Sequence, residues 1–169
     1  GSYTSADITV DAQGRVTAAS NGSGGGGGSG KILQVLNNAA SGAPGSFSYT
    51  TFTTVLDQAI TPADTGNKVL ITASTNIMVP YSSGYGYNGE AHIQLFRGTT
   101  ALGTPQKILS TDSAVEQYAT PSFTYLDSPS TTSSTTYAIK IKSIDNSGGF
   151  GVQVSVSCYD AQITVQEVD

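Results

Sequence analysis

The feature that most restricts this chain is a two-residue hydrophobic period that recurs along it, with no amphipathic stretch of helical period to compete. Tyr137, Ile139 and Ile141 fall on one side of their segment, and Ala138, Lys140 and Lys142 on the other. Further on, Val152, Val154, Val156 and Cys158 share a side opposite Gln153, Ser155 and Ser157. Successive side chains of a strand point to opposite faces, so this pattern buries one face and wets the other. Reading the Val, Ile, Thr, Tyr and Phe runs between Gly, Pro, Asn, Asp and Ser in the same way predicts strands at 32–36, 49–60, 68–75, 91–97, 118–125, 136–144, 151–157 and 161–168. Asn146-Ser147-Gly148-Gly149 suits a turn, so 136–144 and 151–157 are expected to form a hairpin. Alternation breaks between Phe52 and Val55, which predicts a bulge or a change of sheet there.

About eight strands without a helix predict an all-β fold, a two-sheet sandwich of jelly-roll type. An immunoglobulin-like sandwich fits less well, because the chain has no Trp and its one cysteine, Cys158, excludes an inter-sheet disulfide. Ahead of the sandwich (31–169) lie two smaller pieces. Residues 1–20 carry two short strands, 6–10 and 15–18, around Asp11-Ala12-Gln13-Gly14, whose first and last residues suit a tight hairpin loop. A lone hairpin is marginal in water, so Ile8, Val10 and Val16 need a partner surface, which identical chains could provide. Residues 21–30, NGSGGGGGSG, are a flexible linker by composition. The G-x-G-x-x-G match within that run is trivial, since no strand-to-helix context surrounds it. Gly1-Ser2 reads equally as a cloning scar or as native sequence.

Charged residues are 11% of the chain, against roughly 25% in ordinary soluble proteins, so Ser, Thr, Asn, Gln and Gly supply most of the polar surface. A net charge of −5 with seven scattered Lys and Arg excludes the counterion-displacing patch that nucleic-acid binding needs. No run approaches the roughly 18 apolar residues of a membrane span, and membrane insertion is not expected.

Candidate chemistry is sparse. Pro80 to Gly89 places Tyr81, Tyr85 and Tyr87, with Asn88, in a Gly/Ser context unsuited to a regular strand. Tyr offers a large ring with a polar tip, and Ser, Gly and Asn add adjustable hydrogen bonds, so these four residues are the receptor or glycan contact candidates. Packing against the end of the sandwich or a neighbouring subunit explains them at least as well. Tyr118 and Tyr159 read as strand residues. His92, the one histidine, alternates away from Ala91, Ile93 and Leu95 onto an outer or intersubunit face. One His per chain could ligate a metal on a threefold axis, but no metal or other cofactor is expected. No Gly-x-Ser-x-Gly elbow accompanies it, which argues against a serine hydrolase. Glu90, Asp112, Glu116 and Asp127 border expected loops and read as turn or solvated residues. A pair of carboxylates for glycoside cleavage is the remaining enzymatic alternative, yet no catalytic residue is assigned. Cys158, sharing a face with three valines, reads as a small buried hydrophobe.

One segment is more specific than all of these. Residues 3–22, YTSADITVDAQGRVTAASNG, closely resemble a module recurrent in tail fibre proteins of phages, marine ones especially. Lys68-Val69-Leu70-Ile71, the run Tyr125-Leu126-Asp127-Ser128-Pro129-Ser130-Thr131-Thr132 leading into Thr136-Tyr137, and Ile163-Thr164-Val165-Gln166-Glu167-Val168 are similar to the terminal domain often attached to such fibres. The resemblance implies a fibrous, homotrimeric N-terminal piece bearing a globular β-domain, located on a virion. Its expected partners are further copies of itself, other appendage proteins and a host surface glycan or protein. A purely structural decoration or connector module is the alternative. No catalytic residue is transferred.

Overall fold

The computed structural model describes residues 2, 6–21, 31–41, 45–47, 51–79, 89–109, 117–145 and 156–169. They fall into two compact units, Gly1–Lys31 and Ile32–Asp169. In the first, β1 (Asp7–Val10) pairs antiparallel with β2 (Val16–Ser20). Sequence chemistry fixes the loop. Gly14 donates its backbone N–H to the Asp11 carbonyl and adopts φ +79°, while Asp11 Oδ1 accepts from the backbone of Gln13 and Arg15. Those bonds, led by the Arg15 backbone and followed by its guanidinium on Oδ2, hold the Asp11 carboxyl below its usual range.

The second unit is an all-β sandwich built from β3 (Ile32–Ala40), β4 (Gly45–Phe47), β5 (Thr53–Ile60), β6 (Lys68–Val79), β7 (Gly89–Arg97), β8 (Thr100–Leu109), β9 (Gln117–Ala119), β10 (Ser122–Asp127), β11 (Thr135–Asp145) and β12 (Val156–Val168). One sheet runs β10-β6-β12-β3, with β4 added on β12 and β9 on β6; the other runs β5-β11-β7-β8. The antiparallel pairs nest: β7 with β8, β6 with β10, β5 with β11, and β3 with β12. A long hairpin folded over on itself produces that nesting, and it is the jelly roll expected from the sequence. Its apex is the two-residue loop between Arg97 and Thr100, where Gly98 takes φ +57° and donates to the Thr136 carbonyl.

The core is where the period-2 pattern places it. Val69, Ile71, Ala73 and Ile77 of β6 and Cys158, Ala161, Ile163 and Val165 of β12 face Ala91, Ile93 and Leu95 of β7 and Tyr137, Ile139 and Ile141 of β11. The break foreseen near Val55 is a bulge: Ile139 opposes Leu56 and Lys140 opposes Thr54, leaving Val55 as the extra residue.

Several expectations need correction. The hairpin between 136–144 and 151–157 does not form among the described residues, because β11 pairs with β5 and β7 while β12 pairs with β3, β4 and β6 in the opposite sheet. Alternation says that a strand has a buried face; it does not say which sheet the strand joins. The separate strand at 161–168 is the second half of β12, which continues through a bulge between Tyr159 and Gln162 with Asp160 at φ +46°. Strand β8 was not expected, since Gly103 and Pro105 interrupt it. It is tolerated because β8 is an edge strand and 103–105 bulge out between the Leu95–Leu102 and Ile93–Gln106 pairs. The expected strand at 118–125 is divided between β9 and β10 around Pro121.

Candidate functional site

The residues singled out from sequence do not gather into a catalytic centre. Tyr81, Tyr85, Tyr87 and Asn88 lie outside the described residues, as do Asp112, Glu116 and the linker at 22–30. Glu90 is not a solvated loop residue: it is buried on β7, receives Lys107 Nζ at 2.9 Å and is hydrogen-bonded by His92 Nε2. Burial, aided by Lys142 and Lys107 and opposed by Glu90, holds His92 below its ordinary value, so the ring is neutral at pH 7 and donates. Next to this cluster, Lys140 and Lys142 lie 4.7 and 4.8 Å from the ring centroids of Phe96 and Phe52. The outer face of the four-stranded sheet is thus internally paired. Among the described residues no three His, Cys, Asp or Glu side chains are grouped to hold a metal.

Asp127, read as a turn residue, is instead buried between the sheets. Its Oδ2 accepts from the Tyr137 hydroxyl at 2.7 Å and from Arg97 Nη1 at 2.9 Å. Burial first, then the Asp127 bond, drives the Tyr137 pKa well above the usual phenol value. A saturated, internally paired trio of this kind holds strands together and offers nothing to a substrate. Cys158 is fully buried, and burial pushes its thiol up to about 12, against a small opposing contribution from Thr75. A thiolate-selective disulfide reagent should therefore leave the folded chain unlabelled and take up one equivalent per chain in denaturant. Rapid labelling of the native protein would contradict this burial.

What remains open is surface. On the outer face of the six-stranded sheet, the register aligns Thr124, Thr72, Thr164 and Asn37 in one row and Ser122, Ser74, Gln162 and Ala39 in the next. Beyond them, Asn76 opposes Tyr159 and Met78 opposes Tyr118. The bulge in β12 hollows this end into a groove of about 650 Å³ lined by Asn76, Ile77, Tyr118, Thr120, Tyr159 and Asp160. A recess of about 260 Å³ lies between the Thr and Ser rows, and a third hollow of about 400 Å³, lined by Ala39, Ala40, Ser41, Asp160 and Gln162, shares Asp160 with the groove and Gln162 with that recess.

No family model matches the sequence, and no curated protein matches it. Among solved structures, the chain is similar to the infectious bursal disease virus particle, at 17% identity over 95% of this chain and 35% of that one, with a TM-score of 0.48. The Gx strain of the same virus gives 16% identity over 95% and 36%, with a TM-score of 0.48. Its VP2 subviral particle gives 14% over 80% and 33%, with a TM-score of 0.42. The chain spans about a third of the length of these structures' chains. The jelly-roll assignment rests on the strand pairing of this chain alone.

Besides Tyr118 and Leu126, apolar side chains are exposed in two clusters, each within its own unit. Ile8, Val10 and Val16 of the hairpin are 60%, 57% and 60% exposed. In the sandwich, β3 is an edge strand whose Ile32, Leu33, Val35 and Leu36 are all exposed. Long apolar edges without charge or Pro are ordinarily covered.

Proposed function

We propose that this chain is a structural and adhesive module of a virion appendage, the distal segment of a tail fibre. In this reading three copies join through the N-terminal hairpin, and the sandwich meets the host surface. Its work is binding rather than catalysis. The observation that carries the proposal is the hairpin: four- and five-residue strands with all three large apolar side chains more than half exposed. Such an element has too little buried area to persist alone, and copies wrapped about a common axis would bury Ile8, Val10 and Val16 together. The resemblance of residues 3–22 to a recurrent fibre module points the same way. So does the low charge, which lets copies approach without strong repulsion. Tyr81, Tyr85, Tyr87 and Asn88 remain candidates for the host contact, whether to glycan or protein.

The test is the molar mass in solution, by light scattering after size exclusion, of the whole chain and of a form lacking residues 1–30. The whole chain is expected at three times its 17.3 kDa, and the truncated form at a lower mass or dissociating on dilution. A monomer in both would overturn the fibre reading.

A further inference from the structure

We infer that the outer face of the six-stranded sheet, centred on the groove at the β12 bulge, binds a neutral oligosaccharide. Tyr118 and Tyr159 would serve as stacking surfaces, and Asn76, Thr120 and Gln162 as the groups that select hydroxyls. The inference deepens the host-contact part of the proposed function and rests on it, but it uses residues other than the 80–88 segment.

Shape comes first. A hollow of about 650 Å³ is within the ~300–1,000 Å³ typical of small-ligand clefts, and a third hollow beside Asp160 and Gln162 links it to the recess between the Ser and Thr rows, as a chain of linked rings requires. Composition comes second. Tyr118 is 70% exposed, an uncommon position for a large ring on a strand, and it flanks the same hollow as Tyr159. A pyranose offers a face of C–H groups for an aromatic ring and a rim of hydroxyls that both donate and accept. Side-chain amides match such a rim because each carries a donor and an acceptor. Here they are held in place by their neighbours: Thr120 Oγ1 donates to Asn76 Oδ1 at 2.8 Å, and Gln162 Nε2 donates to Ser74 Oγ at 3.1 Å. Asn76 Nδ2 and Gln162 Oε1 have no partner among the described residues and are the groups a sugar hydroxyl would meet.

Charge comes third and selects the class of glycan. The lining residues of both recesses include no Lys or Arg, and Asp160 is their one carboxylate. A sialylated or phosphorylated glycan would find no cation there and one like charge. A second copy of the chain is the competing occupant, but exposed apolar side chains of this face, Leu126 and Val35, share a row with Leu70 at the end away from the groove, whereas the groove beside Asn76 is recessed and carries polar groups.

The experiment is a backbone amide NMR titration of the full chain, ¹⁵N-labelled, with maltohexaose, cellohexaose, mannohexaose and N-acetylchitohexaose, and with 3′-sialyllactose as the anionic probe. At least one neutral hexasaccharide should shift Asn76, Thr120 and Gln162, and sialyllactose should not. Tyr118→Ala, at an exposed position that leaves the fold intact, should weaken the response about tenfold. Failure of all four neutral sugars to shift these amides would overturn the inference, as would shifts confined to residues 80–88. So would shifts of this face that follow protein dilution without sugar, the sign of a copy interface. A trimer that ignores the sugars leaves the assembly reading standing, whereas a monomer that binds them leaves the groove standing and removes the fibre.

Discussion

Replacing Asp127 with Ala should destabilise the sandwich by about 3 kcal/mol, a large share of the roughly 5–15 kcal/mol that holds a domain of this kind together. Asp127 stands at the end of β10 in one sheet, while Arg97 ends β7 and Tyr137 begins β11 in the other. Its carboxylate therefore ties the two layers at one end of the core. The substitution leaves a fully buried tyrosine hydroxyl without its acceptor and the Arg97 guanidinium with the Ser128 carbonyl in place of its counter-charge, and an unsatisfied buried polar group costs about 1–3 kcal/mol. The Arg97 side chain is 31% exposed, so water recovers part of its loss, which puts the expected cost at the low end of the range for breaking a buried pair. Asp127→Asn keeps one acceptor and the shape and should cost about half as much. Tyr137→Phe, which removes one donor but leaves the ion pair, should cost about 1 kcal/mol. Urea unfolding of the three variants checks the order. An Asp127→Ala midpoint equal to wild type would mean that the carboxylate ties nothing.

How much of this was legible beforehand differs from element to element. The burial of Tyr137, Ile139 and Ile141, of Val156-flanked Cys158 and of Ile163 and Val165 follows from period 2 alone, since one face of a strand in a sandwich must be dry. The bulge at Val55 was readable as a broken alternation, and the Asp11–Gly14 turn as an Asp and a Gly at the right separation. Sheet membership was not readable. The strands β11 and β12 both alternate and are joined by turn-forming residues, and nothing in either pattern says that the connection crosses from one layer to the other. The strand β8 was hidden because Gly103 and Pro105 look like breakers, which they would be anywhere but on an edge. Asp127 and Glu90 were misread for a common reason. A carboxylate near a loop is usually solvated, and only Arg97 with Tyr137 from the other sheet, or Lys107 from the neighbouring strand with His92 on the same strand, allows it to be buried. The groove shares that limit. Tyr118 and Tyr159 were placed on strands, but the strand pairing that sets both tyrosines beside Asn76 on one face is a property of the topology, and no local pattern announces it.

Glu167 makes the second large effect, and its pH dependence has a definite sign. The residue is 1% exposed near the end of β12, where Oε1 accepts from the Ala63 backbone and from Asn67 Nδ2, each at 2.6 Å, and Oε2 accepts from Gln34 Nε2 at 2.5 Å. Gln34 in turn donates to the Thr61 carbonyl. One carboxylate thereby joins β12, the edge strand β3 and the connection between β5 and β6. Glu167→Ala removes the acceptor of three donors and should cost about 3 kcal/mol, allowing for water that reaches the donors nearest the surface. Burial by itself would raise the Glu167 pKa, but the bonds from Asn67, Gln34 and the backbone outweigh it and hold the carboxyl below its ordinary value. In the unfolded chain the group binds its proton near pH ~4.3, and in the folded one only at lower pH. Its contribution is therefore complete above about pH 5 and is lost as the pH falls through the folded pKa, where the unfolded state already holds the extra proton. Glu167→Gln has no such proton to bind. Unfolding free energies of wild type and this variant, measured in urea from pH 7 to pH 3, should run parallel above pH 5 and converge below about pH 4. Curves that stay parallel to pH 3 would show that the carboxyl is not held in its charged form by these three elements.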